Sequence, residues 1–206
     1  MPKERVSLSP RETHAGKGGL SWILGVDPGM GSTGFGVIEL APNGSLFYQE
    51  SGIIRPRGPS TPQRIQQIFR GLVQVIDRFQ PQMMAVERPF FGKNVKSAML
   101  LGQARGAAIL AAAETGVEVQ EYSPLEVKQA VVGYGKAAKE QVQAMVRSIL
   151  RAPQELNAHA ADALAVALCL AHSLPWQSSL KKAEQDEALR SHRSTPEREL
   201  NSGGTP

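Results

Sequence analysis

The stretch Trp22-Ile-Leu-Gly-Val-Asp27-Pro-Gly-Met-Gly-Ser-Thr-Gly-Phe-Gly-Val-Ile-Glu39 is an apolar run that ends in one carboxylate, turns through glycines and becomes apolar again. Trp22, Ile23, Leu24 and Val26 favour a buried strand, whereas Pro28 and the glycines at 29, 31 and 34 suit a tight turn. The reading is strand, turn, strand, with Asp27 at the rim of an apolar sheet. An ionised carboxylate there costs desolvation free energy unless a cation or hydrogen-bond donors receive it. The position therefore points to a metal or a phosphate-linked role. The alternative is that Asp27 caps its own turn. Ample glycine in that turn, and further acidic residues in similar settings downstream, argue against it.

Working outward, Leu46 to Ile54 reads as a third strand. Ile65, Ile68, Phe69, Leu72, Ile76 and Phe79 then recur at helical spacing, as a helix covering the sheet would. Met83-Met-Ala-Val-Glu87 repeats the opening pattern, a short apolar strand ended by a carboxylate and cut off by Pro89, so Glu87 is a second rim carboxylate. An Ala-rich helix is predicted from about residue 94 to 114, with Gly102 and Gly106 four apart. Such a pair lets another helix approach closely and suggests a packing or dimer face. Val117 to Tyr122 is a fifth strand, and Ser123-Pro-Leu-Glu126 has capping-box spacing with proline at the first helical position. Helices are predicted at about 137–150 and 158–173. Strands joined by hairpins, followed by strands alternating with helices, give an α/β fold. The pattern suits a ribonuclease-H-like mixed five-stranded sheet with helices on both faces.

A chain of 206 residues, 41% hydrophobic and 20% charged, can bury one good core, since domains of roughly 100 to 200 residues are usual. Residues 1–20 and 176–206 are polar and lack periodicity, and read as disordered tails around one domain at 21–175. No run approaches the ~18 apolar residues of a membrane span, and the first residues hold no apolar signal core. The expected place is the cytoplasm. A single cysteine, Cys169, excludes an internal disulfide and a cysteine-rich zinc site. The net charge of +4 is modest, but nine basic residues against five glutamates between Arg88 and Arg151 put positive charge beside the two carboxylates, as a nucleic-acid partner would require.

Asn157-Ala-His159-Ala-Ala-Asp162 places an imidazole and a carboxylate three apart, on one face at the start of an otherwise apolar helix. If that helix packs over the strand ends, Asp27, Glu87, His159 and Asp162 converge. Converging carboxylates raise one another's pKa, whereas one or two hard divalent ions neutralise them. Two ions ~4 Å apart can clamp a phosphodiester for in-line hydrolysis. His159 could ligate an ion or move a proton, and both readings stay open. The following loop, Arg88-Pro-Phe90-Phe91-Gly92-Lys93-Asn94, carries two aromatics between positive charges. That combination suits stacking on exposed bases while Arg88 and Lys93 hold phosphate; the alternative is that one or both phenylalanines cap the core.

At these residues the chain resembles the bacterial RuvC family of Holliday junction resolvases. The resemblance is carried in order by Asp27-Pro-Gly, Glu87 with its Phe-bearing loop and Lys93-Asn94, Leu101-Gly-Gln-Ala-Arg-Gly106, Tyr122-Ser-Pro124, Glu126-Val-Lys-Gln129, Val132-Gly133 and Ala160-Ala-Asp-Ala-Leu164, over about residues 22–172. It implies a homodimer that binds four-way DNA junctions and makes two symmetric cuts with Mg²⁺ or Mn²⁺, two ions per active site, and that works with the RuvA and RuvB branch-migration proteins. Asp27, Glu87 and Asp162 fall on the family's catalytic carboxylates, Phe90 on the aromatic that helps open base pairs, and Lys128 and Lys139 on DNA-contacting lysines. The familiar pattern has aspartate at the position of His159. Imidazole there lowers the negative charge and offers nitrogen, which should make Mn²⁺ more competitive with Mg²⁺.

Two other readings fit part of the sequence. Asp-x-Gly-x-Gly-Ser-Thr also resembles the phosphate loop of actin-like sugar kinases and ATPases, but the second glycine-rich loop such proteins need is missing from the sequence. A junction-binding module without catalysis would be expected to have lost a carboxylate, and all three are present.

Overall fold

The computed structural model describes residues 21–88 and 95–174. Strands β1 (Ser21–Asp27), β2 (Thr33–Leu40) and β3 (Leu46–Ile54) form an antiparallel meander. Helix α1 (Thr61–Phe79) leads to β4 (Met83–Glu87), α2 (Val95–Thr115) to β5 (Glu118–Tyr122), and α3 (Pro124–Val132), α4 (Lys139–Leu150) and α5 (residues 158–174) complete the order. The sheet runs β3-β2-β1-β4-β5, with β4 parallel to β1 and β5 parallel to β4. This is the mixed five-stranded α/β sheet expected from the sequence.

Successive side chains of a strand point to opposite faces, and both faces of the central strands are apolar. Leu24, Val26 and Val37 pack with Ile68 and Leu72 of α1 and with the alanines of α2. Ile23, Ile38 and Ala85 pack with α3, α4 and the fully buried Leu164 and Leu168 of α5. Cys169 lies in that second layer at 4% exposure, where burial pushes its thiol up to about 12. It is a packing residue. No described helix is long and apolar enough to cross a membrane.

Local signals set the helix ends. Ser123 accepts a hydrogen bond from the Glu126 N–H while the Glu126 carboxylate takes the Ser123 N–H, so the capping box forms with Pro124 in the first turn. At the start of α5, Asn157 Oδ1 accepts the His159 N–H at 3.0 Å.

One contact between layers decides where α5 lies. Gly25 and Gly36 are cross-strand partners on β1 and β2, and a Cβ on Gly25 would collide with the Ala163 carbonyl and Ala167, while one on Gly36 would collide with Leu164. A Cβ on Gly34 would overlap the His159 carbonyl. The glycines leave a bare track on which the helix backbone rests directly against the sheet.

Candidate active site

Asp27 ends β1 and Glu87 ends β4. The parallel register pairs Val26 with Val86, so the two carboxylates are neighbours on the same edge of the sheet. Gly34 is the cross-strand partner of Asp27 on the other side. The start of α5 rests on Gly34, and this brings His159 over the strand ends: its Nδ1 stands 2.9 Å from Asp27 Oδ2. Three residues on, Asp162 faces the same edge. Ligand atoms of Asp27, His159 and Asp162 all lie within 4.8 Å of one another.

Glu87 stands outside that tight trio but within its electrostatic reach. Burial first, then the charges of Asp27 and Asp162, push its carboxyl up to about 7. Asp27 is also raised, chiefly by burial, against the lowering effect of its bond to His159. Both shifts arise from acids crowded into a partly dry site, the condition a divalent cation relieves. Oxygen-rich carboxylates with one imidazole fit such an ion. An ionised Asp27 accepts from His159 Nδ1–H, which leaves Nε2 as the nitrogen free to bind a metal or a proton.

A cation from the protein already sits at the rim. Lys139, the first residue of α4, places Nζ 2.6 Å from Asp162 Oδ2. This bond, more than the field of the other acids, raises the Lys139 pKa, so the ammonium stays charged. The resemblance had suggested Lys139 as a DNA contact; its direct grip on a carboxylate was not legible, because nothing in the sequence brings the start of α4 to the start of α5. Lys128 is half-buried on α3.

Arg88, read from the sequence as a phosphate ligand, is held at the described site by an acid. Its Nη2 lies 3.0 Å from Glu126 Oε2, the same oxygen that accepts the Ser123 N–H and hydroxyl. The Arg88 N–H also donates to the Tyr122 carbonyl at 2.7 Å. The chain leaving Glu87 is thereby tied to the start of α3. Sequence analysis recognised Glu126 only as a helix cap; the clue to its second task was that β5 runs straight into α3 beside the end of β4. Phe90, Phe91 and Lys93 lie outside the described residues.

The turn after Asp27 does not have the form of a free phosphate cradle. The fully buried Thr33 donates its hydroxyl to the Gly29 carbonyl at 2.9 Å and accepts the Gly29 N–H at 3.3 Å. Two groups that a kinase-like loop could offer to a nucleotide, the Thr33 hydroxyl and the Gly29 N–H, are bonded to each other's residue within the turn.

Comparison with known proteins agrees with this fold. The family described as "Crossover junction endodeoxyribonuclease RuvC" matches residues 23–170. The chain is 45% identical over 159 residues to the crossover junction endodeoxyribonuclease RuvC of Geobacter sp. (strain M21), covering 77% of this chain and 97% of that protein. The Thermus thermophilus RuvC structure superposes with a TM-score of 0.69 at 36% identity, covering 76% of this chain and 96% of that one. T. thermophilus RuvC in complex with Holliday junction substrate gives 0.68 at 36% identity, covering 72% and 92%. The ribonuclease-H-like fold expected from the strand and helix order is the fold of these relatives. With the match running from the first strand to the last helix, the chain belongs to the RuvC family of crossover junction endodeoxyribonucleases.

Proposed function

We propose that this nuclease resolves four-way DNA junctions by paired, symmetric hydrolysis of phosphodiesters, with Asp27, Glu87, His159 and Asp162 as the residues that hold Mg²⁺ or Mn²⁺. The observation that carries the proposal is the convergence of four segments at one sheet edge: two strand ends, the start of α5 and the start of α4 with Lys139. A bound divalent ion supplies charge neutralisation and a more acidic water. The residues themselves do the rest. Asp27 fixes the ring of His159 and leaves Nε2 available to a ligand or a proton. Glu87, raised to about 7, holds its proton more readily than an ordinary carboxyl, and a bound cation would favour its ionised form. Lys139 balances Asp162 until a DNA phosphate competes for the ammonium.

Two cuts across a junction call for two sites, and α2 offers a face for dimerisation. Val95 (71% exposed), Met99 and Leu110 fall along one side of α2 with Gly102 and Gly106, and among the described residues nothing comes within 4 Å of where a side chain at either glycine would begin. Apolar side chains around bare backbone suit a second copy of the same helix. Phe90, Phe91, Lys93, Arg88 and Lys128 remain the proposed DNA contacts, RuvA and RuvB the proposed partners, and the cytoplasm the proposed place of action. The segments 1–20 and 176–206, read from the sequence as tails of one nuclease domain at 21–175, lie outside the described residues.

The test is cleavage of a synthetic mobile four-way junction against linear duplex of the same sequence, in Mg²⁺ or Mn²⁺, for wild type and Asp27→Asn. Paired nicks confined to the junction, dependent on metal, and lost in a variant that still binds, are expected. Binding without cutting in either metal would overturn the catalytic reading.

A further inference from the structure

The first turn of α3 and the segment between α3 and α4 each present one large apolar side chain to solvent. Gly133, with φ of 88°, ends α3 in the left-handed conformation and turns the chain outward. Tyr134 follows at 48% exposure, and Leu125 from the first turn of α3 is 55% exposed. The two residues belong to one surface, because Leu125 lies against the Gly135 backbone, in the space a Cβ there would take. The Tyr134 hydroxyl donates to Gln141 Oε1 at 3.3 Å, and the same oxygen accepts the Ala138 N–H at 2.8 Å. The hydroxyl thus links the ring to the first turn of α4.

Both ends of this shelf run into the catalytic edge. Ala138 precedes Lys139, which bonds Asp162; Glu126, next to Leu125, bonds Arg88, which follows Glu87. Two lysines flank it, Lys128 one turn beyond Leu125 on α3 and Lys136 in the exposed loop; of the acids near it in sequence, Glu126 is paired with Arg88 and Glu140 is exposed in the first turn of α4. A second copy of this chain is the poorer occupant. The apolar face suited to it is on α2, which packs against the opposite side of the sheet. Exposed aromatic and aliphatic surface rimmed by lysines and continuous with a phosphodiesterase site fits the uncharged parts of a nucleic-acid strand.

We propose that Tyr134 and Leu125 form a shelf on which the sugar and base next to the scissile phosphate rest, so that the strand is held by packing as well as by charge. The inference rests on the junction-cleaving reading and assigns that site a contact for the neighbouring nucleotide. Tyr134 acts by orienting the strand and takes no part in proton or bond transfer. Packing and phosphate contacts differ in their response to salt, because only the latter release counterions.

The experiment measures affinity for a fluorescent four-way junction by anisotropy, in EDTA, over a range of KCl concentrations. Tyr134→Ala is expected to weaken binding about tenfold with the wild-type salt slope, and Leu125→Ala to weaken it less. Tyr134→Phe, which keeps the ring, should stay within about twofold, whereas Lys136→Ala should lower the salt slope by about 1. Tyr134→Trp should show emission quenched by the junction beyond the change seen in wild type, a readout that holds even if the alanine variant folds poorly. The proposal is overturned if Tyr134→Ala binds as wild type does, if Tyr134→Phe is as weak as the alanine variant, or if Tyr134→Trp is not quenched. Loss of the dimer in Tyr134→Ala would overturn it as well. Wild type that binds no junction at all would defeat the functional reading too, and so is told apart from these outcomes.

Discussion

Gly34 and His159 meet backbone to backbone: the carbonyl oxygen of His159 fills the space in which a side chain at position 34 would begin. Because Gly34 pairs across the sheet with Asp27, this contact sets how far the imidazole reaches toward the carboxylate. Gly34→Ala must push α5 away. The added methyl meets backbone, which cannot swing aside, so a cost of about 1–3 kcal/mol is expected. Thermal melts should show it, and junction cleavage should fall further than the lost stability explains, because the bond between His159 and Asp27 is broken. Undiminished cleavage in a destabilised protein would show that the contact serves packing alone.

Lys139 occupies with its ammonium a position where a cation is wanted. Lys139→Met removes that competitor, so Mn²⁺ binding without DNA, measured by calorimetry, should tighten several-fold while junction affinity falls. Weaker Mn²⁺ binding in this variant would contradict the reading.

Glu87 gives a pH dependence of definite sign. Its carboxyl, near 4.5 in an unfolded chain, is raised to about 7 in the fold. Between those values the folded state holds the extra proton, so the metal-free protein loses stability as pH rises from 4.5 to 7 and stays penalised above. Glu87→Gln should flatten this part of the melting profile. It should also be the more stable protein at pH 8 without metal. Added Mn²⁺ should raise the melting temperature of wild type more at pH 8 than at pH 5, since protons no longer compete for the carboxylates.

His159→Asp restores a fourth carboxylate. Junction cleavage in Mg²⁺ relative to Mn²⁺ should rise, because an oxygen donor suits the harder ion better than an imidazole does. Equal ratios for the two proteins in saturating metal would remove His159 from the control of metal preference.

Gly102→Leu with Gly106→Leu tests the α2 face. Nothing in the described chain meets a side chain at either position, so the fold should melt much as wild type does. Sedimentation should report a monomer, and paired cutting should fall to single, unpaired nicks. An unchanged dimer would place the interface elsewhere.

The rim carboxylates were legible because a lone acid closing an apolar strand has few structural uses, and Asp27 and Glu87 each occupy that position. His159 and Asp162 were legible from their spacing at the head of an apolar helix. The side-chain bonds between elements were not. Whether Lys139 meets Asp162, or Arg88 meets Glu126, depends on how α3, α4 and α5 stack on one face of the sheet, and the pattern of each helix fixes only which side it buries. The glycines of β1 and β2 read as turn and strand residues from the sequence. Their use as a bed for α5 needs the second layer in place, since each strand alone gives no sign of what will lie on it.

The track that seats α5 has a bearing on when this molecule becomes dangerous to DNA. Asp27 and Glu87 are synthesised early, but His159 and Asp162 are on the helix that comes after every strand of the sheet, and Lys139 finds its carboxylate only when that helix is seated. A nascent or truncated chain that stops short of α5 has Asp27 and Glu87 at the sheet edge without His159 and Asp162, the other two proposed metal ligands. The order of translation brings the four proposed ligands together only after α5 has been made.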